Sequence, residues 1–291
     1  MRPVGLIGVP SNSSGRRDGV ARAPAALRDA GIVDVLGDVR DYGDVILPDP
    51  TTERDPETHL IDPRGFVAVM TGVRDAVGTV LGDGRFPLVL GGDCPIVLGC
   101  LAAARADANL GLLFVDGHED AYLPHRSTTG EGADTEIAFA LGIADASWSP
   151  ELAAAMPTVA PADLRILGAR DAAALRAEGV PSLGDRIAMI DDRELAADVS
   201  GHTRRATTSL SPRWWFHLDL DVLSVDALPA VDYHQPGGLG WDDLRLLATT
   251  AFEGGPVGWD ITIYNPDLDH ERTHARAIVR FIGSVLGSTD E

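Results

Sequence analysis

Seven short, predominantly apolar runs punctuate this 291-residue chain, and most are followed by a turn and then by a stretch with helical periodicity. The runs are Val4–Val9, Pro87–Leu90, Leu110–Val115, Leu164–Leu167, Ile187–Ile190, Trp214–Leu220 and Val257–Ile263. Between them lie the amphipathic stretches Gly65–Leu81, Pro95–Ala106, Asp242–Phe252 and Thr273–Leu286. A strand that is apolar on both faces must be covered on both faces, which is the situation of a parallel sheet between two layers of helix. The pattern therefore predicts an α/β fold of three layers, αβα, with a mainly parallel sheet. Asp41–Pro63, Ser147–Asp163 and Ser200–Pro212 read as loops from their Pro, Asp, Ser and Thr content. None is long or biased enough for a linker, so residues 1–291 are expected to form one domain.

Ligands of open parallel sheets bind outside the carboxyl ends of the strands, and two of these runs end in acid clusters. Leu110–Val115 enters Asp116-Gly117-His118-Glu119-Asp120, and the second run carries His217-Leu218-Asp219-Leu220-Asp221. If strand geometry persists, Asp116, His118 and Asp120 point one way, as do His217, Asp219 and Asp221. Burying several carboxylates together costs on the order of several kcal/mol each unless cations compensate them. An acidic turn explains one such cluster; two at strand ends indicate divalent metal. A third segment, Gly91-Gly92-Asp93-Cys94, also follows a strand, and its glycines permit close backbone approach to a ligand.

These segments resemble the ureohydrolase family of arginase and agmatinase. Ile7-Gly8-Val9-Pro10, Gly19-Val20 and Pro24-Ala25-Ala26-Leu27-Arg28 resemble its N-terminal segment. Gly91-Gly92-Asp93-Cys94 resembles its Gly-Gly-Asp-His signature, and Asp116–Asp120 its Asp-Ala-His-x-Asp signature. His217–Leu223, followed by Pro229 and Pro236-Gly237-Gly238-Leu239, resembles its Ser-x-Asp-x-Asp block. The resemblance implies an arginase-like fold and a binuclear manganese centre, two Mn2+ ions whose bridging hydroxide attacks a guanidinium or amidine carbon. It implies metal ligation by Cys94, Asp116, His118, Asp120, Asp219 and Asp221. Asp116 and Asp219 would bridge the ions, His118 and Asp221 would serve one, and Asp120 and Cys94 the other. It also implies a homo-oligomer, trimer or hexamer.

Four departures separate the chain from that pattern. Cys94 replaces a metal-binding His, as in the hydroxyarginine-cleaving subgroup, to which the chain is closest in motif; a thiolate suits zinc or iron better than manganese. Ala133 stands where the family carries a proton-shuttling His, and His125 is out of step. Ile263 occupies the place of the Glu that clamps the guanidinium, two residues before Asn265-Pro266. Arg170-Asp171-Ala172-Ala173 lacks the second Asp of the loop that reads an α-amino acid.

New acids stand in the substrate loop at Glu131, Asp134 and Glu136, either as a capped helix start or as a relocated cation clamp. Asp120 and Glu131 are the candidate catalytic groups; Glu136, Tyr122 and His234 are candidates for substrate contact. The leading expectation is a metal-dependent hydrolase acting on a C–N bond of a small guanidine or amidine other than arginine. The alternative is a protein of the same fold that lacks this activity and serves as a binding or assembly subunit. Thiol catalysis by Cys94 is a third reading and would require His118 as its base.

The formal charge of −20, from 44 acidic and 24 basic residues, repels phosphate backbones and so argues against nucleic-acid and anionic-membrane partners, leaving a small-molecule substrate. Two cysteines, Cys94 and Cys100, make no disulfide framework. No apolar run approaches bilayer length and no signal peptide is seen at the N-terminus, so a cytoplasmic location is expected.

Overall fold

The computed structural model describes residues 3–105, 109–156 and 158–287. The predicted helix end at Ala106, Pro157 in a predicted loop, and the first two and last four residues of the expected domain lie outside that range. Eight strands form one sheet, and every pairing in it is parallel. They are β1 (Val4–Val9), β2 (Val39–Asp44), β3 (Phe86–Gly91), β4 (Gly111–Val115), β5 (Leu164–Gly168), β6 (Ala188–Asp191), β7 (Trp214–Asp219) and β8 (Trp259–Thr262). Their order across the sheet is β2-β1-β3-β8-β7-β4-β5-β6.

Side-chain alternation sorts each strand into two cores. Val4, Leu6, Leu88, Leu90, Leu113, Trp214, Phe216, Leu218 and Trp259 pack on one face. That face is covered by α1 (Ala23–Asp29), α7 (Asp192–Ala197), α8 (Val199–Thr208), α9 (Trp241–Glu253) and α10 (Thr273–Leu286). Ile7, Val9, Val89, Leu112, Phe114, Ile166 and Trp215 pack on the other face, under α2 (Pro63–Gly82), α3 (Ile96–Ala104), α4 (Glu136–Ala140) and α5 (Pro150–Ala155). A further short helix, α6 (Ala172–Glu178), follows β5.

The structure corrects several expectations. Asp41–Pro63 is not all loop, because β2 runs to Asp44 as an edge strand. Edge strands carry charge that a central strand could not bury, and Arg28 ties Asp41 and Asp44 of β2 back to α1. Ser200–Pro212 is largely α8, whose Thr and Gly content hides it; Asp198 caps it, and Val199, Thr203 and Ala206 form its buried stripe. Ser147–Asp163 contains α5, capped by Ser149. Helix α2, 20 residues long, is apolar and long enough to cross a bilayer. Its stripe of Phe66, Val69, Met70, Val73, Val77 and Val80 has the spacing of a core helix and packs against α3.

Packing alone requires a glycine at position 92. A Cβ there would lie 1.9 Å from the carbonyl oxygen of Ser11, against backbone that cannot swing aside. Gly92→Ala is expected to destabilise the protein by about 3 kcal/mol, since the ends of β1 and β3 must separate. Denaturant unfolding measures this, and a loss below about 0.5 kcal/mol would show that the junction yields freely.

Candidate metal centre

Four central strands, β3, β8, β7 and β4, end at one point, and each delivers a polar group there. Cys94 follows β3, Thr262 ends β8, Asp219 ends β7 and Asp116 follows β4. Strand geometry does not persist beyond β4. The chain bends at Gly117 and His118, and Asp120 adopts the left-handed backbone region at φ 44°.

The convergence is nevertheless tight. Potential ligand atoms of Asp116, His118 and Asp221 lie within 4.8 Å of one another, as do those of Cys94, Asp120 and Glu136, and those of Cys94, Asp116 and His217. The trios share Asp116 and Cys94 and so adjoin. His118 Nδ1 is 2.8 Å from Asp221 Oδ2. Backbone amides orient the acids: His118 N donates to Asp116 Oδ1 at 2.6 Å, Gly117 N to Asp221 Oδ1 at 2.9 Å, and Asp221 N to Asp219 Oδ1 at 2.6 Å. Arg170 supports the segment from behind, donating from Nη2 to the carbonyl oxygen of Asp221 at 2.7 Å.

Burial without a cation raises the proton affinity of these groups. Asp120 lies well above the carboxylate range through burial and then through Asp116 and Glu136. Asp219 does so through burial, Asp221 and Asp116, and Glu136 chiefly through burial. Asp116 is raised by burial and by Asp221. Burial pushes Asp221 up as well, but the charge and hydrogen bond of His118 outweigh it and leave this carboxyl lowered. Burial lowers His118, and Asp221 with Asp116 more than reverse that, so the imidazole holds its proton well above its ordinary range. Burial and the neighbouring acids push the Cys94 thiol up, and its Sγ donates to Asp219 Oδ2 at 2.8 Å. A thiol so placed is a poor free nucleophile, and His118 is already paired with Asp221, which counts against thiol catalysis.

A cavity of about 590 Å³ opens above the cluster. Cys94, His118, Asp120, Asp219 and Asp221 line it, together with Glu131, Asp232, Tyr233 and Ile263. Glu131 Oε1 accepts from the Tyr233 hydroxyl at 3.2 Å. Its carboxyl is pushed up to about 7 by burial, then by Asp93 and Asp134, with Tyr233 opposing. Asp134 also reaches the cavity, but its Oδ2 accepts 2.5 Å bonds from Ser127 and Thr129, which fix the loop.

The expected substrate contacts fall elsewhere. Glu136 is fully buried at the start of α4, beside Cys94 and Asp120 and not on the cavity wall. Tyr122 is half-buried and interacts with Glu178, and His234 lies against the carbonyl oxygen of Pro229 at 3.2 Å. His125 is exposed and meets the ring of His59. Sequence reasoning missed Gln235, whose amide lies 3.3 Å from His118 Nε2, and the wall residues Asp232 and Tyr233.

A family model described as "Arginase family" matches residues 2–287. Arginase from Bacillus subtilis (strain 168) is 28% identical over 297 residues, covering 98% of each chain. The structure of arginase from Bacillus caldovelox superposes with a TM-score of 0.85 at 25% identity over the full length of both chains. Proclavaminate amidino hydrolase from Streptomyces clavuligerus shares the fold, with a TM-score of 0.69 at 20% identity over 98% of this chain and 90% of its own. Matched from end to end in sequence and fold, the chain belongs to the arginase family.

Proposed function

We propose that the protein is a metal-dependent hydrolase cleaving a C–N bond of a guanidine, amidine or related small cation, and that arginine is not its substrate. The observation that supports this best is a pair of buried, unpartnered ligand atoms beside the residues that line an acidic cavity. Asp116 Oδ2 and His217 Nε2 have no hydrogen-bond partner and lie 3.9 Å apart. Groups of this kind are normally satisfied, and a divalent cation satisfies them together. Oxygen and imidazole donors suit manganese, while Cys94 favours a softer ion such as zinc or iron.

Asp116, His118 and Asp221 would hold one ion, and Cys94 with Asp120, Glu136 or Asp219 the other. Two such ions would supply an acidic water and offset the charge of a tetrahedral intermediate. Asp120, on the cavity floor, is placed to take a proton from the attacking water and return it to the departing nitrogen. Glu131 and Asp232 present negative charge to the substrate cation, and Tyr233 orients Glu131. Family membership also supports a homo-oligomeric working form, and the single eight-stranded sheet supports reading the chain as one domain.

After reconstitution with manganese or zinc, the protein is expected to release urea or ammonia from at least one of guanidinobutyrate, agmatine, hydroxyarginine or a simple amidine. Binding of metal with no turnover across such a panel would favour the binding-subunit alternative. Glu131 binds a cation as its carboxylate, so KM for a cationic substrate should fall as pH rises through about 7. Glu131→Gln should remove that dependence and raise KM roughly tenfold, the value of a weak charge-assisted hydrogen bond. An unchanged KM and pH profile would return Glu131 to the role of a wall residue.

A further inference from the structure

The centre contains a buried imidazole that the ligand assignment above leaves unused. His217 is completely buried on β7, facing the core beneath α2 and α3. Its register partner on β8 is Asp260, also completely buried, and His217 Nδ1 lies 2.6 Å from Asp260 Oδ2. Trp215 Nε1 donates to the other oxygen, Asp260 Oδ1, at 2.5 Å. Phe114 stacks on the imidazole with ring centroids 4.4 Å apart and planes 10° apart, which fixes the ring's orientation.

With a carboxylate at Nδ1, the proton belongs on that nitrogen, and the lone pair of Nε2 is left pointing inward. His217 Nε2 has no hydrogen-bond partner, and neither does Asp116 Oδ2, which lies 3.9 Å away. Ligand atoms of Cys94, Asp116 and His217 lie within 4.8 Å of one another. Two unsatisfied acceptors facing each other in a dry interior repel unless a cation lies between them. A histidine whose far nitrogen donates to a carboxylate is the usual support of a metal-binding imidazole.

Building on the metallohydrolase reading, we propose that His217 Nε2 is a metal ligand, joined by Cys94 Sγ and an Asp116 carboxylate oxygen, with Asp260 and Trp215 as its positioning residues. The imidazole absent at position 94 is thereby supplied from β7, two strands away across β8. Binding converts the Cys94 thiol to a thiolate and sends its proton to solvent by way of Asp219, the present acceptor. A set of thiolate, imidazole and carboxylate prefers zinc, iron(II) or cobalt(II) to manganese.

The test uses the full chain loaded with cobalt(II) or zinc, comparing wild type with His217→Ala, Asp260→Asn and Asp221→Ala. Elemental analysis after dialysis gives stoichiometry, and the sulfur-to-cobalt absorption band reports the Cys94 site. His217→Ala should lose about one ion per chain together with that band. Asp260→Asn, which keeps the imidazole, should weaken the site roughly 10- to 100-fold, the usual effect of losing such a support. Asp221→Ala should empty the His118 site and leave the band intact. Wild-type stoichiometry and affinity in His217→Ala overturn the assignment while leaving the metallohydrolase reading standing. If His217→Ala does not fold, an unweakened site in Asp260→Asn overturns it. A wild type that takes up neither ion overturns both readings.

Discussion

Chelation should lower the melting temperature by roughly 5–10 °C, and Asp116→Ala or Asp219→Ala should make melting indifferent to added divalent ion. An ion present at one hundred times its dissociation constant stabilises by about 2.7 kcal/mol. Each kcal/mol moves the midpoint of a domain of this size by about 2–4 °C. The effect depends on pH in a defined direction. Asp116, Asp120, Glu136 and Asp219 all have raised proton affinity in the metal-free fold. A carboxyl of this kind stabilises the fold fully below its ordinary range and ceases to do so as pH rises through its folded pKa. The chelated protein should therefore weaken from about pH 4 upward, whereas bound cations take the place of the protons and spare the loaded protein. The gap between the two melting curves widens with pH. In chelator at high pH, Asp219→Ala should melt no lower than wild type, because it removes a repelled carboxylate. Melting indifferent to chelator in the wild type, and unchanged in Asp116→Ala, would defeat the metal assignment.

Arginine turnover should be about 10³- to 10⁶-fold below that of an enzyme carrying both a guanidinium clamp and a proton-shuttling His. Ile263 lines the cavity where the resemblance places the clamping Glu, and a charge-assisted hydrogen bond is worth about 1.5–3 kcal/mol, or roughly 10- to 100-fold. A positioned acid–base group is worth about 10²–10⁴-fold, and the shuttle position holds Ala133, which also lines the cavity. Ile263 also adopts φ 69°, an uncommon conformation for a β-branched residue, so the wall is held there by its surroundings. Ile263→Glu should recover about one order of magnitude of arginine affinity with little gain in turnover, since the shuttle remains missing. A steady-state urea assay with arginine and agmatine decides the matter. Turnover at rates ordinary for enzymes would show that the cavity binds a guanidinium by other groups.

Polar groups at the end of an apolar strand were readable in the sequence because the strand fixes where its end lies. Asp116 and Asp219 are of this kind. What stayed hidden depended on register between strands or on turns. His217 and Asp260 are 43 residues apart, and only the pairing of β7 with β8 brings them together. Their signal was a polar residue interrupting each of two otherwise apolar runs. Glu136 reads as a substrate contact, but the short turn at Gly132–Asp134 leads into α4 with Glu136 buried beside Cys94 and Asp120. Tyr122 and His234 stand on loops, and sequence does not say which way a loop side chain points. The edge strand β2 escaped notice because its charges are those of an exposed edge, not of the buried runs on which the fold was read.

The last strand in the chain, β8, lies between β3 and β7 at the middle of the sheet. Until it inserts, the ribosome has released two unjoined fragments of sheet, β2-β1-β3 and β7-β4-β5-β6, with Cys94 on one and Asp116, His118, Asp219 and Asp221 on the other. Cys94 and the acids of β4 and β7 therefore come together only after synthesis has passed Thr262. Closing so distant a contact makes the final step slow, and it completes the Cys94 side of the site last, whereas Asp116, His118 and Asp221 already lie together on one fragment.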